Sequence, residues 1–235
     1  MKYIIINTKN YFDKYKMEAF INKFKDYLIH KNVILCPSSV YFSSLQYNNY
    51  SLCSQDFSLN IPFNNGISID QLISFNIKYC IVGHADNRDF DNQNKKTINQ
   101  KLEKLLKQGI VPILCIGEKE KNNNIENKIS TIFAELNQDL KNISTELVNK
   151  IIFAYEPRWA INENIELDFE EIKTIISKIK ENLILKYNIK PIVMYGGNVG
   201  INNIKLLNNN LIDGFLIGSA CTNYCELMQI LEENT

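Results

Sequence analysis

Short apolar runs alternate along the chain with longer stretches in which apolar residues recur every three or four positions. Eight runs carry the β-branched bias of strands buried on both faces: Tyr3 to Asn7, Val33 to Cys36, Leu52 to Gln55, Tyr79 to Gly83, Val111 to Ile116, Ile151 to Tyr155, Ile192 to Tyr195 and Asp213 to Ile217. Helical periodicity between them is clearest over Asn92 to Gln108, Glu126 to Lys141 and Phe169 to Tyr187, with Asp168 placed to cap the last. No Gly/Pro/Ser-rich linker interrupts the alternation, which predicts a parallel sheet in one domain spanning 1–235. Eight such units point to an α/β chain closed into a single (β/α)8 barrel. A doubly wound open sheet shares the local pattern, and the missing G-x-G-x-x-G fingerprint counts only modestly against it.

Barrel chemistry sits at the carboxyl ends of the strands, and the polar outliers gather there. Asn7 and Lys9 follow the first run, His84 and Asp86 the fourth, Glu118 the fifth, Glu156 the sixth, and Gly196-Gly197-Asn198 the seventh. Glu156 leaves an apolar strand and precedes Pro157, whose ring fixes the chain's exit, so it is a candidate general base; a rim salt bridge is the alternative. His84 follows Gly83 and is a candidate donor to a developing enolate oxygen, against the commoner role of a satisfied structural histidine. Lys9 adds positive potential to the rim, although most lysines are merely solvated. The stretches around Gly196-Gly197 and Gly214 to Ala220 put glycine between strand and helix, where bare N–H groups can face a phosphate. Glycine serving tight turns alone is the plainer reading.

Composition narrows the partners. Twenty-six Lys plus Arg balance twenty-six Asp plus Glu, so no basic field steers nucleic acid or an anionic membrane, and an anionic ligand has to be held by local groups. Six cysteines, mostly inside apolar runs and without a C-x-x-C pair, read as reduced core residues. The apolar run at the amino terminus is too short for a signal sequence or a membrane span, which makes the cytoplasm the expected location. The runs Asn122 to Asn124 and Asn208 to Asn210 read as loops or helix ends.

Taken in order, these motifs resemble the triosephosphate isomerase family from Asn7 to about Cys221. Asn7-x-Lys9 resembles its first-strand motif, Val82-Gly83-His84 its histidine loop, and Cys115-Ile116-Gly117-Glu118 its fifth-strand signature. Ala154-Tyr155-Glu156-Pro157-x-Trp159-Ala160-Ile161 resembles its catalytic glutamate and lid, and the two late glycine stretches its phosphate loops. The resemblance implies isomerisation of dihydroxyacetone phosphate and glyceraldehyde 3-phosphate through an enediolate, a step of glycolysis and gluconeogenesis, with no metal or other cofactor. It assigns proton transfer to Glu156, carbonyl polarisation to His84, and substrate binding to Lys9 and Asn7, following the family's known pairing of a glutamate base with a neutral histidine. Asn162, Asn198, Gly218 and Ser219 would hold the phosphate, Asp86 would face Lys9, and Ile161 and Leu216 would wall in the glutamate under a lid that starts at residue 157. It also implies a homodimer through a loop covering about 55–68, where Ile61, Pro62 and Phe63 need cover.

Several positions depart from the family. Ala85-Asp86-Asn87-Arg88 stands for Ser-Glu-Arg-Arg, Asn162-Glu163-Asn164 for the lid's glycine pair, Asn198 for a phosphate-loop serine and Ser219 for a second glycine. These changes are expected to loosen the support of the site and to weaken lid closure and phosphate affinity. Two rivals share part of the pattern: another phosphate-binding barrel enzyme such as an aldolase or epimerase, and a barrel that keeps the fold as a binding or structural protein. Glu156-Pro157 together with His84, Lys9 and Asn7 argues against both.

Overall fold

The computed structural model describes residues 2–59, 66–89, 94–163, 165 and 167–234, with the side chains of Asn162 and Glu163 outside that description. Eight parallel strands close into a barrel in chain order: β1 (Tyr3–Asn7), β2 (Val33–Cys36), β3 (Ser51–Ser54), β4 (Tyr79–Val82), β5 (Val111–Ile116), β6 (Ile152–Tyr155), β7 (Ile192–Tyr195) and β8 (Gly214–Ile217). The last pairs with the first, Tyr3 opposite Gly214 and Ile6 opposite Ile217. Four strands match the sequence reading residue for residue, three are one residue shorter at an end, and β3 is shifted by one, Ser51–Ser54 in place of Leu52 to Gln55. At β4 the difference is physical: Gly83 takes a positive φ of 70° and turns the chain out of the ladder.

The alternation along each strand explains why the runs are apolar throughout. Ile5 points into the barrel with Ile34, Cys36, Cys53, Ile113, Cys115, Met194 and Leu216, whereas Ile4 and Ile6 point outward beneath the helices. Both faces are dry, so neither tolerates a polar residue until the strand ends.

The helices are α1 (Lys14–Leu28), α2 (Phe42–Leu45), α3 (Ile69–Ser74), α4 (Ala85–Asp89), α5 (Lys95–Lys107), α6 (Ile125–Asp139), α7 (Thr145–Val148), α8 (Arg158–Glu163), α9 (Phe169–Tyr187), α10 (Ile204–Leu207) and α11 (Tyr224–Glu232). In α9 the Asp168 side chain accepts from the amides of Glu170 and Glu171, and Ile172, Ile175, Ile176, Ile179 and Leu183 form one buried stripe before Asn188 ends the helix at φ 49°. Burying each of these side chains is worth about 2 kcal/mol. The asparagine runs are helix ends, as composition suggested: Asn124 caps α6, and Asn208 terminates α10. The start of α5 is set by Asn94, which accepts from Thr97; Asn92, assigned to this helix from periodicity, lies outside the described residues. Ile61, Pro62, Phe63, Asn64 and Asn65 of the third loop, and Asn164 of the expected lid, also lie outside them.

No helix among the described residues is long and apolar enough to cross a membrane. Five cysteines are buried and Cys225 is exposed, all as free thiols.

Candidate active site

At the carboxyl end of β1 the chain turns sharply, and Lys9 adopts a left-handed φ of 44°. That conformation is costly for a lysine and is held from two sides. The Lys9 amide donates to Asn7 Oδ1 at 3.0 Å, and Gln55, just past β3, donates from Nε2 to the Lys9 carbonyl at 2.9 Å. The turn sends the Lys9 ammonium across the barrel mouth to Asp86 Oδ2, 3.0 Å away. Burial alone would lower the Lys9 pKa, but the hydrogen bond and charge of Asp86, with Tyr11 and Glu156 nearby, outweigh it and raise it above the usual 10.5. The shorter acid in place of the family's glutamate therefore still reaches the lysine, against the expectation of looser support.

His84 follows the Gly83 turn and begins the approach to α4. The backbone amide of Asp86 donates to His84 Nδ1 at 3.2 Å. An amide N–H can only donate, so Nδ1 is an acceptor and the ring proton sits on Nε2. Asp86 Oδ2 is also 3.6 Å from Nδ1, but it is engaged by Lys9 at the shorter distance. The result is a neutral imidazole whose Nε2–H faces Glu156 Oε1 at 3.5 Å.

Glu156 is 2 % exposed, one residue beyond β6. Its Oε2 accepts from the Ala85 amide at 3.1 Å, and the Cys115 thiol, inside the barrel, hydrogen-bonds to the same carboxylate. Two glycines make room for it. A Cβ at Gly117 would sit 1.8 Å from the Glu156 carbonyl oxygen, and one at Gly196 would sit 3.0 Å from its Cγ. Leu216 lies against the same place, 3.3 Å from that Gly196 position.

These groups surround a cavity of about 200 Å³. Of the residues singled out from sequence, it brings together Asn7, Lys9, His84, Glu156, Ile161, Asn198, Leu216, Gly218 and Ser219. Asp86 stands behind Lys9, and Asn162 belongs to the α8 backbone, its side chain outside the described residues. Tyr11 also lines the cavity, and nothing in its sequence context marked it. The two glycine loops are braced from behind: Asn203 donates to the Asn198 carbonyl at 2.7 Å, and Thr222 to the Ser219 carbonyl at 2.8 Å.

Glu118, a strand-end candidate, does not line the cavity. It is buried behind it, accepting from Trp159 Nε1 at 2.9 Å and from the Tyr155 hydroxyl at 3.3 Å, and burial raises its pKa. A second cluster also escaped the sequence reading. Arg88 donates to the Gly83 and Cys115 carbonyls and to Asp139 at 2.6 Å, while Arg158, at the start of α8, donates to the Gly117 carbonyl and to Glu135 at 3.0 Å. It ties the ends of β4 and β5 to α6 and to the root of the lid segment. A larger cavity of about 820 Å³ opens outside the barrel mouth between Gln55, Asp56, Phe57, Thr97 and Lys101 and holds no comparable acid and base. Among the described residues no three His, Cys, Asp or Glu side chains gather as metal ligands.

A buried carboxylate facing a neutral imidazole donor, with a protonated lysine beside it at the mouth of an eight-stranded barrel, is the arrangement for moving a proton next to a carbonyl. The family model described as triosephosphate isomerase matches residues 2–234. The chain belongs to the triosephosphate isomerase family. It is 33 % identical to the triosephosphate isomerase of Mycoplasma pneumoniae over 93 % of each chain. Against that of Ureaplasma parvum it is 36 % identical over 94 % of each, and against that of Mycoplasma mobile 31 % over 98 % of this chain and 99 % of the relative. Within a triosephosphate isomerase, the substitutions at Ala85, Asn87 and Asn198 leave Lys9, His84 and Glu156 around one cavity.

Proposed function

We infer that the chain is an isomerase (EC 5.3.1.1) interconverting dihydroxyacetone phosphate and glyceraldehyde 3-phosphate, and that the residues around the small cavity perform the reaction. The observation that carries the reading is the pair His84 Nε2–H and Glu156 carboxylate, 3.5 Å apart on the wall of one cavity of about 200 Å³ with room for a triose. Glu156 takes a proton from the carbon beside the carbonyl; the electron pair left behind moves onto the carbonyl oxygen and forms an enediolate. His84 gives its Nε2 proton to that oxygen and takes up the proton of the neighbouring hydroxyl, whose oxygen becomes the new carbonyl; Lys9 adds its positive charge, and Glu156 returns its proton to the former carbonyl carbon. Asn7 keeps Lys9 in its turn. Backbone N–H groups at Asn198, Gly218 and Ser219 take the phosphate, with Asn162 joining when the segment from residue 157 closes. Gly218 lies close to Lys9, a Cβ there standing 3.9 Å from Lys9 Cε, which supports phosphate and lysine sharing one end of the cavity. Ile161 and Leu216 then wall off Glu156 from water, which strengthens it as a base and protects the intermediate from losing phosphate.

An aldolase using a lysine nucleophile needs a neutral amine. The Asp86 partnership holds Lys9 charged and disfavours that rival. An assay of the purified chain with glyceraldehyde 3-phosphate, coupled to reduction of the ketone product, tests the reading. Turnover is expected, and its absence with folded protein would leave a binding or structural barrel.

The loop covering about 55–68 is proposed to seat a second copy of the chain, giving a homodimer that works in the cytoplasm. The 820 Å³ cavity along Phe57, Ser58, Leu59, Gly66 and Ile67 supports this. Light scattering is expected to give twice the monomer mass at micromolar concentration; a fully active monomer would refute it.

A further inference from the structure

Trp159 is the chain's one tryptophan and the second residue of α8, at the root of the segment that carries Ile161 over the cavity. Its indole N–H donates to Glu118, and its ring is approached by two ammonium groups, Lys121 and Lys128, each 5.3 Å from the ring centroid. The two lysines differ in kind. Lys128, on α6, has a side chain only 5 % exposed and is ion-paired to Glu171 in the first turn of α9. It therefore touches both ends of one segment: Trp159 where that segment leaves β6, and Glu171 where it enters α9. A buried ammonium is costly unless fully partnered, and here the partners are an aromatic face, the Glu171 carboxylate and the field of Glu118.

We propose that Lys128 is a positioning residue for the lid: by holding Trp159 against Glu118 and tying it to Glu171, it sets the two ends between which the segment 160–168 closes over a phosphate-bearing substrate. The inference rests on the proposed function and adds to it a residue that touches no substrate. Lys128 acts through Trp159, so its removal weakens the energy gained from the phosphate and leaves the proton transfer between Glu156 and substrate alone.

The test uses Lys128→Met, which keeps the apolar stem and removes the charge, and Lys128→Arg, which keeps the cation. Emission of the single tryptophan is followed during titration with 2-phosphoglycolate, alongside kinetics with glyceraldehyde 3-phosphate and with phosphate-free glyceraldehyde. Lys128→Met is expected to raise the 2-phosphoglycolate Kd and the KM for glyceraldehyde 3-phosphate about fivefold, to diminish the emission change on binding, and to leave kcat/KM for glyceraldehyde unaltered. Lys128→Arg should restore most of the affinity. An unchanged Kd, or an equal loss on glyceraldehyde, would overturn the proposal, as would a lowered Tm with Kd and emission unchanged. Should Lys128→Met fail to fold, Glu171→Gln decides instead: a raised Kd supports the tie, and an unchanged Kd removes it. If the unaltered chain isomerises nothing, the proposed function fails, while the emission change and its loss in the variant still decide the lid tie.

Discussion

Two sets of charged side chains flank the same strand ends and are built on opposite plans. In the cluster behind the barrel mouth, guanidinium groups face carboxylates and carbonyls: Arg88 meets the Gly83 and Cys115 carbonyls, Asp139 and Glu135, and Arg158 meets the Gly117 carbonyl and Glu135, with Asp139 Oδ1 alone of the Asp139 oxygens left without a hydrogen bond among the described residues. At the mouth, Glu156 is just as buried, yet among the described residues its only partner within ion-pair range is His84, and that ring is neutral. The nearest lysine is committed to Asp86. A carboxylate pinned by guanidinium groups is a strut; one held by an amide, a thiol and a neutral imidazole can accept a proton when a substrate offers one.

The contrast is broken most forcefully at Glu156. Glu156→Gln keeps the shape and the amide contacts but cannot take a proton, so kcat is expected to fall about a thousandfold while 2-phosphoglycolate binds nearly as before. Comparable turnover in the variant would show that the buried carboxylate is a strut after all and would reopen the epimerase reading.

Arg88→Met makes the opposite cut. It leaves Asp139 buried without its guanidinium, which is expected to cost about 3 kcal/mol of stability in urea unfolding, while the folded protein keeps most of its kcat. A Glu156-like loss of activity with stability intact would place the rear cluster in the chemistry. The pair also titrates unevenly. Burial lifts Asp139 from 3.8 to about 6 in spite of Arg88, whereas for Arg88 burial is outweighed by Glu135 and Asp139, so its pKa rises. Arg88 has two carboxylates to draw on, while Asp139 has one guanidinium and the weaker field of Lys95 against a like-charged Glu135 and no exposure to water. Between pH 3.8 and about 6 the folded chain holds the Asp139 proton more tightly than the unfolded chain does. The contribution of this carboxyl is therefore complete below the lower value and lost as pH rises through the upper one. Asp139→Asn is expected to flatten the stability profile in that window, and identical slopes in variant and parent would contradict the assignment.

What the sequence made legible follows the same division. The strands could be read because both faces of each are dry, so that Val111 to Ile116 carries no polar side chain. Lys9, His84 and Glu156 could be read because polarity returns abruptly at strand ends. Arg88, Glu135, Asp139 and Arg158 could not, because they meet from α4, α6 and α8, and helix-surface charges far apart in sequence look like solvated faces until packing joins them. Gln55 reads as the end of the third apolar run and the start of a loop, yet it holds the Lys9 carbonyl, a contact between the ends of β1 and β3 that no local pattern announces. The lid was the least legible part. Asn162-Glu163-Asn164 reads as a loop, but α8 runs through Glu163.

That helix changes the argument about the lid's missing glycines. If Asn162 and Glu163 lay in a turn, asparagine would suffer mainly from the left-handed geometry that glycine reaches freely. In α8 their backbone is helical, the Ile161 amide donating to the Pro157 carbonyl at 3.1 Å and Ile165 closing back on the Ala160 carbonyl at 2.8 Å. Amides of this segment can face a phosphate only after the last turn of the helix opens. Glycine weakens a helix interior by up to about 1 kcal/mol relative to better helix formers, so a glycine pair would ease that opening as well as the turn that follows. Against this, glycine makes the open segment more disordered and raises the entropy lost on closing. Glu163 adds a negative charge to a segment that, in the proposed function, approaches a dianion. The balance favours a penalty of about 1 kcal/mol for the present residues, a several-fold effect that is small beside the loss at Glu156. The triple change Asn162→Gly, Glu163→Thr and Asn164→Gly is therefore expected to tighten 2-phosphoglycolate and raise kcat/KM several-fold. If neither improves, opening the helix costs no more with asparagine than with glycine, and the lid's limit lies at its ends, where Trp159 and Glu171 are held.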